Sequence, residues 1–191
     1  MHPALLIIDL QNDYFPGGNH PLAGSLAAGK QATRLLEYLR ATDLPVIFIQ
    51  HFSTRPGATF FLPDTHGVEI HPSVKPAPDE TIITKHFPNC FRQTTLLEHL
   101  NKLQVRQLVV SGMMTHMCLD AGVRAAVDLG FECTVAADAC ATCDLVFAGQ
   151  TIPASQVQAG FLAALASAYA KVLNTDDILA SLNYGEQVGA N

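Results

Sequence analysis

The sequence predicts an α/β protein, a parallel sheet with helices on both faces, and three observations carry that reading. Short continuous apolar runs such as Ala4-Leu5-Leu6-Ile7-Ile8 suit strands covered on two sides. They alternate with segments of helical period, the pattern of βαβ units. Two long irregular stretches, Gln11 to Ser25 and Phe52 to Asp79, break the alternation. Loops beyond about 12–15 residues in a compact domain are usually functional, so these are read as pocket walls.

In chain order, the run Ala4 to Ile8 is the first strand and ends abruptly in Asp9. Leu26 to Arg40 carries Leu35, Leu36 and Leu39 between charges, an amphipathic helix. The stretch Gly24 to Lys30 has phosphate-loop spacing, but Gln31 stands where a magnesium-binding hydroxyl is needed, so it is read as the start of that helix. Val46 to Ile49 is a second strand and Thr81 to Thr84 a third; between them lie prolines 56, 63, 72, 76 and 78. Thr94 to Leu103 repeats the helical pattern with Leu96, Leu97, Leu100 and Leu103. Leu108 to Val110 and Cys133 to Ala136 are further strands, separated by a helix from Met117 to Leu129. Ser155 to Ala168 is an alanine-rich helix expected to pack tightly, and Asp176 to Leu182 a last short one.

With 191 residues the chain is expected to form one domain over 1–191, and 49 % hydrophobic residues supply its core. A net charge of -6 and the lack of any basic run argue against nucleic acid as a partner. No apolar stretch reaches the ~18 residues of a membrane span, and Met1-His2-Pro3 opens no secretory signal. A cytoplasmic protein is therefore expected. Five scattered cysteines do not form the framework of a secreted domain and are read as free thiols.

In open parallel sheets the ligand sits beyond the carboxyl ends of the strands. Three polar residues fall there: Asp9, Lys85 and Cys118. Singly, each has a bland account as loop cap, surface charge or buried small hydrophobe. Together they supply a nucleophile, a base to take its proton and a cation to hold the resulting charge. In Gly112-Met113-Met114-Thr115-His116-Met117-Cys118, Thr115 is expected to cap the next helix and set Cys118 in its first turn, where the dipole lowers a thiol pKa. The free N–H groups of such a turn can also receive an oxyanion.

Asp9 in Ile8-Asp9-Leu10-Gln11-Asn12-Asp13, Lys85 in Ile83-Thr84-Lys85-His86, and Gly112-x-x-Thr115-x-x-Cys118 followed by Arg124-Ala125-Ala126-x-Asp128-x-Gly130 resemble the isochorismatase-like cysteine hydrolases, which include nicotinamidases and N-carbamoylsarcosine amidohydrolase. The resemblance implies a three-layer, Rossmann-like sandwich around a six-stranded parallel sheet and an Asp9–Lys85–Cys118 catalytic triad. It further implies a cis peptide between Met113 and Met114, and an oxyanion hole from the N–H groups of Met114 and Cys118. The expected reaction is hydrolysis of a small amide, lactam or carbamoyl substrate through a thioester, and it requires no cofactor.

Isochorismatases proper lack the nucleophilic cysteine, so Cys118 points away from vinyl-ether cleavage. Nicotinamidases carry an Asp-x-His metal site after the second strand, where this chain reads Gln50-His51-Phe52. His51, His66 and His71 are the residues left to build a metal site from the long second loop, though no metal is expected. Gln11, Phe15, Phe52, Phe60, His86 and His116 flank the strand ends and are assigned to substrate binding. Cys140-Ala141-Thr142-Cys143 has redox spacing, which keeps a thiol redox or sensing protein open as an alternative, beside an inactive hydrolase scaffold. The apolar loop Phe60-Phe61-Leu62-Pro63 would be awkward in solvent, so a homo-oligomer is expected.

Overall fold

The computed structural model describes residues 2–189. Strands β1 (Pro3–Ile8), β2 (Val46–His51), β3 (Thr81–Lys85), β4 (Gln107–Met113), β5 (Glu132–Ala141) and β8 (Ala170–Leu173) form a six-stranded sheet in the order β3-β2-β1-β4-β5-β8. All its pairings are parallel. The β-branched and leucine-rich runs suit this environment because both faces are buried.

Alternate residues feed two cores. Leu5, Ile7, Phe48 and Val109 face helices α1 (Ser25–Ala41) and α5 (Thr175–Gly189), meeting Leu35, Leu36, Leu39 and Ile178. Leu6, Ile8, Ile49 and Val110 face α2 (Leu96–Lys102), α3 (Asp120–Asp128) and α4 (Ala154–Ala168), meeting Leu96, Leu100, Val123 and Leu165. The result is the expected sandwich of three layers. Strand order reverses between β1 and β4, which opens a crevice beyond their carboxyl ends. There Gly112 pairs with Ile8, and a Cβ at Gly112 would lie 2.2 Å from the Ile8 carbonyl oxygen. Its φ of +149° is also one that side chains disfavour, so only glycine lets β4 approach β1 this closely.

Several elements depart from the sequence reading. The sixth strand follows α4 almost directly and had no signal separate from that helix. A two-stranded antiparallel hairpin, β6 (Leu145–Phe147) and β7 (Gln150–Ile152), was likewise missed. Between β5 and β4 the ladder jumps from Val110–Val135 to Gly112–Cys140, so β5 extends well past Ala136. The displaced Asp138 accepts from Thr175 N and Oγ1, both at 2.8 Å, at the head of α5. Nor does α4 pack tightly: Val157 and Leu165 are buried, but Ala159, Ala163, Ala164 and Ala166 face out. At spacings of four and three, Ala159, Ala163 and Ala166 share one face of the helix, and that face meets solvent.

Candidate active site

Four neighbouring strands, β3, β2, β1 and β4, each bring one side chain to their carboxyl ends. Asp9 follows β1 with φ 53°, a left-handed turn that Asp tolerates better than most residues. His51 ends β2, Lys85 ends β3, and Cys118 lies just beyond β4. Register pairs His51 with Lys85 directly across adjacent strands.

The Lys85 ammonium is the hub. Its Nζ lies 2.7 Å from Asp9 Oδ2, 3.2 Å from Cys118 Sγ and 2.8 Å from His51 Nδ1. The side chains of Asp9 and Lys85 are wholly buried. Beyond that ion pair neither Asp9 oxygen has a hydrogen-bond partner among the described residues. A buried oxygen with open lone pairs beside a thiol is a proton acceptor in waiting.

Electrostatics follow from this burial. Desolvation raises Asp9 above its ordinary value while the Lys85 charge pulls it down. Desolvation acts to lower Lys85, yet the Asp9 charge and the hydrogen bonds to Asp9 and Cys118 outweigh it and hold the ammonium above its usual range. Burial pushes the Cys118 thiol up, with Asp9 adding to the rise and Lys85 opposing it. The lowered pKa expected from a helix dipole is therefore corrected: loss of solvent exceeds a partial charge at a helix end. Thr115 is no cap either. The segment Thr115–Leu119 is a π-helical turn with Met114 at its N-terminal flank, and Thr115 Oγ1 reaches Ala141 O and Gln158 Oε1 instead. The Met113–Met114 peptide leading into that turn is cis.

The expected substrate-binding set disperses. Gln11 is committed elsewhere: Nε2 donates to His51 O at 2.9 Å and Val68 O at 2.6 Å, while Oε1 accepts from His51 N at 2.7 Å. With both donors used and no exposure it clamps loop to strand. Phe15 stacks on His71 at 3.5 Å and faces a cleft of about 450 Å³ that none of the triad lines. His86 is exposed and its Nδ1–H donates to Phe52 O at 3.0 Å. His116 pairs with Thr142 Oγ1 and turns its ring to Phe161. Phe52 and Phe60 remain half-buried against the core that carries Tyr14 and Phe61.

Tyr14 was not singled out by the sequence reading. Tyr14 is 1 % exposed and packs edge-on against Phe61 at 4.5 Å, with Phe60 at 5.7 Å. Burial raises its phenol well above the ordinary value, and the Phe61 ring it packs on lies in turn 5.9 Å from the His51 ring. The missed signal was the loop pattern itself. Asp13, also buried, accepts from Asn19 N at 2.9 Å and Phe61 N at 2.6 Å, and so folds the second loop inward over Tyr14.

His51, His66 and His71 do not converge. His66 is exposed beside Glu69, and His71 accepts from Ser73 N. Among the described residues, the one group able to ligate a metal is Asp9, His51 and Cys118, whose ligand atoms lie within 4.8 Å of one another. Lys85 Nζ contacts all three, so an ammonium stands where a cation would bind. Cys140 and Cys143 are both free. Burial pushes Cys140 up to about 12, and its Sγ–H donates to Ala136 O at 3.1 Å, so it offers no thiolate for exchange.

The profile of the Isochorismatase domain matches residues 3–177, nearly the whole chain. The chain belongs to the isochorismatase family. Among its relatives is the isochorismatase family protein YddQ of Bacillus subtilis, 48 % identical over 179 residues that cover 94 % of this chain and 99 % of that protein. Streptothricin hydrolase of Streptomyces noursei is 33 % identical over 156 residues, 80 % of this chain and 55 % of that enzyme. A crystal structure of an isochorismatase hydrolase from Oleispira antarctica superimposes with a TM-score of 0.90 at 49 % identity, covering 94 % of this chain and 96 % of that one. Isochorismatase-family membership thus agrees with the crevice at the strand reversal and with its polar cluster.

Proposed function

We propose that the protein hydrolyses a small amide, lactam or carbamoyl compound through a cysteinyl thioester. The observation that carries this reading is Asp9, Lys85 and Cys118 held in one buried cluster, 2.7 and 3.2 Å from a shared ammonium. Its family membership and a relative named for streptothricin hydrolysis support an amide-type bond as the target.

The resting thiol is protonated, because burial raises it. Asp9 takes the Sγ proton as the sulfur attacks the carbonyl carbon, and Lys85 steadies the charge on both groups. The N–H groups of Met114 and Cys118 are proposed to receive the oxyanion. When the tetrahedral carbon collapses, the C–N bond breaks and the amine leaves with the proton Asp9 holds. Water then adds to the thioester with Asp9 again as base, releasing the acid and restoring the thiol. Tyr14, Phe52, Phe60 and Phe61 are proposed as the apolar wall that keeps bulk water from this sequence.

The test is release of ammonia or amine from a panel of small amides. Cys118→Ala is expected to cut turnover roughly a thousandfold or more while leaving the circular dichroism unchanged. A variant retaining full activity would remove the nucleophile from this reading. A single hydrolase domain acting as a homo-oligomer completes the proposal, supported by a hairpin whose Val146 and Phe147 are 72 % and 77 % exposed.

A further inference from the structure

We infer that His51 is a fourth member of the site, a positioning residue that accepts the third ammonium proton of Lys85 and so keeps Lys85 aimed between Asp9 and Cys118. The inference rests on the triad reading for its catalytic meaning but on separate contacts for its evidence.

An ammonium has three N–H bonds and no acceptor capacity. Around Lys85 Nζ stand three acceptors: Asp9 Oδ2 at 2.7 Å, His51 Nδ1 at 2.8 Å and Cys118 Sγ at 3.2 Å. Remove one and a buried N–H is left unsatisfied, with the four-carbon stem free to swing toward whatever replaces it. The contact with Lys85 also fixes the imidazole. Nδ1 can accept only from the neutral ring carrying its hydrogen on Nε2. Burial, and after it the charges of Lys85, His86 and Arg55, hold His51 down at about 3, so the ring remains neutral wherever the enzyme would work.

The fold restrains His51 at both its backbone and its ring. The Gln11 side chain brackets its peptide groups, accepting from His51 N at 2.7 Å and donating to His51 O at 2.9 Å. Phe61 lies against the ring with centroids 5.9 Å apart. Gln11 therefore acts on the site at second hand, through His51, and Lys85 in turn transmits that position to Asp9 and Cys118. A histidine retained only for packing would need neither the backbone bracket nor an acceptor nitrogen on the ammonium.

Two measurements on the intact protein test this. Nitrogen-15 spectra of the histidine rings are expected to report His51 as the neutral Nε2–H tautomer from pH 5 to 9 (~ordinary histidine titration lies near 6.5), with its Nδ1 signal displaced in Lys85→Met. An Nδ1–H tautomer, or a His51 midpoint near the ordinary value, would overturn the inference without reference to activity. Iodoacetamide labelling of Cys118 against pH, read by peptide mass spectrometry, supplies the second. His51→Leu should slow labelling about tenfold at neutral pH and move the profile upward, as expected when a charged hydrogen bond is lost. His51→Asn, whose Oδ1 takes the place of Nδ1, should restore most of the rate. Equal profiles for wild type and His51→Leu would also overturn it. An unreactive Cys118 in the wild type, with the Nε2–H tautomer intact, would defeat the nucleophile assignment and still support the His51–Lys85 contact.

Discussion

His51 carries the clearest acid signature in the molecule. Desolvation, then the Lys85 charge, lowers its imidazole from 6.5 to about 3 on folding. Between those values the unfolded chain binds a proton that the folded protein refuses, so stability is fully present above about 6.5 and is lost as pH falls through the window. His71 and His116, lowered by burial, act in the same sense. Asp9 acts in the opposite sense, because burial raises it and the folded protein holds that proton more tightly than the unfolded chain does. Melting temperature is expected to fall on acidification from pH 7 to ~5, and to fall less steeply in His51→Asn. Differential scanning calorimetry across that range checks both, and a steeper fall in the variant would contradict the assignment. The same desolvation explains why the cysteines here read as poor thiolates at rest: Cys90, Cys133 and Cys140 are each pushed up to about 12. The proposed thioester mechanism accordingly draws on Asp9 as a base beside Cys118 rather than on a standing thiolate.

At the scale of elements, the strands supply positions and the two long loops supply closure. Asp9, His51 and Lys85 were legible because each follows an apolar run whose end the sequence marks. His51 was nonetheless read only as a possible ligand, since nothing local reveals that β2 lies between β1 and β3. The loops were legible as pocket walls but not in their internal order. Asp13 decides that order by binding Asn19 six residues on and Phe61 48 residues on. Gly67 packs so close that a Cβ there would lie 2.1 Å from the Asp13 carboxylate. Asp13→Ala leaves the Phe61 N–H without its partner and is expected to cost about 2–3 kcal/mol, the range for losing hydrogen bonds to a buried charged group. Urea unfolding measures that loss, and a change below about 0.5 kcal/mol would place the wall's stability elsewhere.

For the whole molecule, the expected reason for assembly was wrong in its residues. Phe61 is 1 % exposed because the Phe60-Phe61 segment turns inward on Tyr14, so that loop presents no large apolar surface. Among the described residues the most exposed large apolar side chains are instead Val146 and Phe147 on the β6–β7 hairpin, and α4, which the sequence reading expected to pack tightly, turns several alanines outward. If copies meet there, replacing Val146 and Phe147 together by serine lowers the particle mass seen by light scattering while the melting temperature of the isolated subunit changes little. An unchanged mass would move the interface to another face.

What the sequence by itself determined is whatever depends on short-range pattern. Buried-strand runs, helical spacing, the polar residue closing each strand and the ordered motifs around Asp9, Lys85 and Cys118 are all local, and they sufficed for the layer architecture, the family and the candidate nucleophile. Tertiary structure alone decided the properties that depend on exclusion of water and on which strands are neighbours. Parallel register set His51 across from Lys85, the inward fold of the second loop packed Phe61 onto Tyr14, and burial reversed the direction expected for the Cys118 thiol. Solvation is a property of the packed whole, so no spacing along the chain encodes it directly.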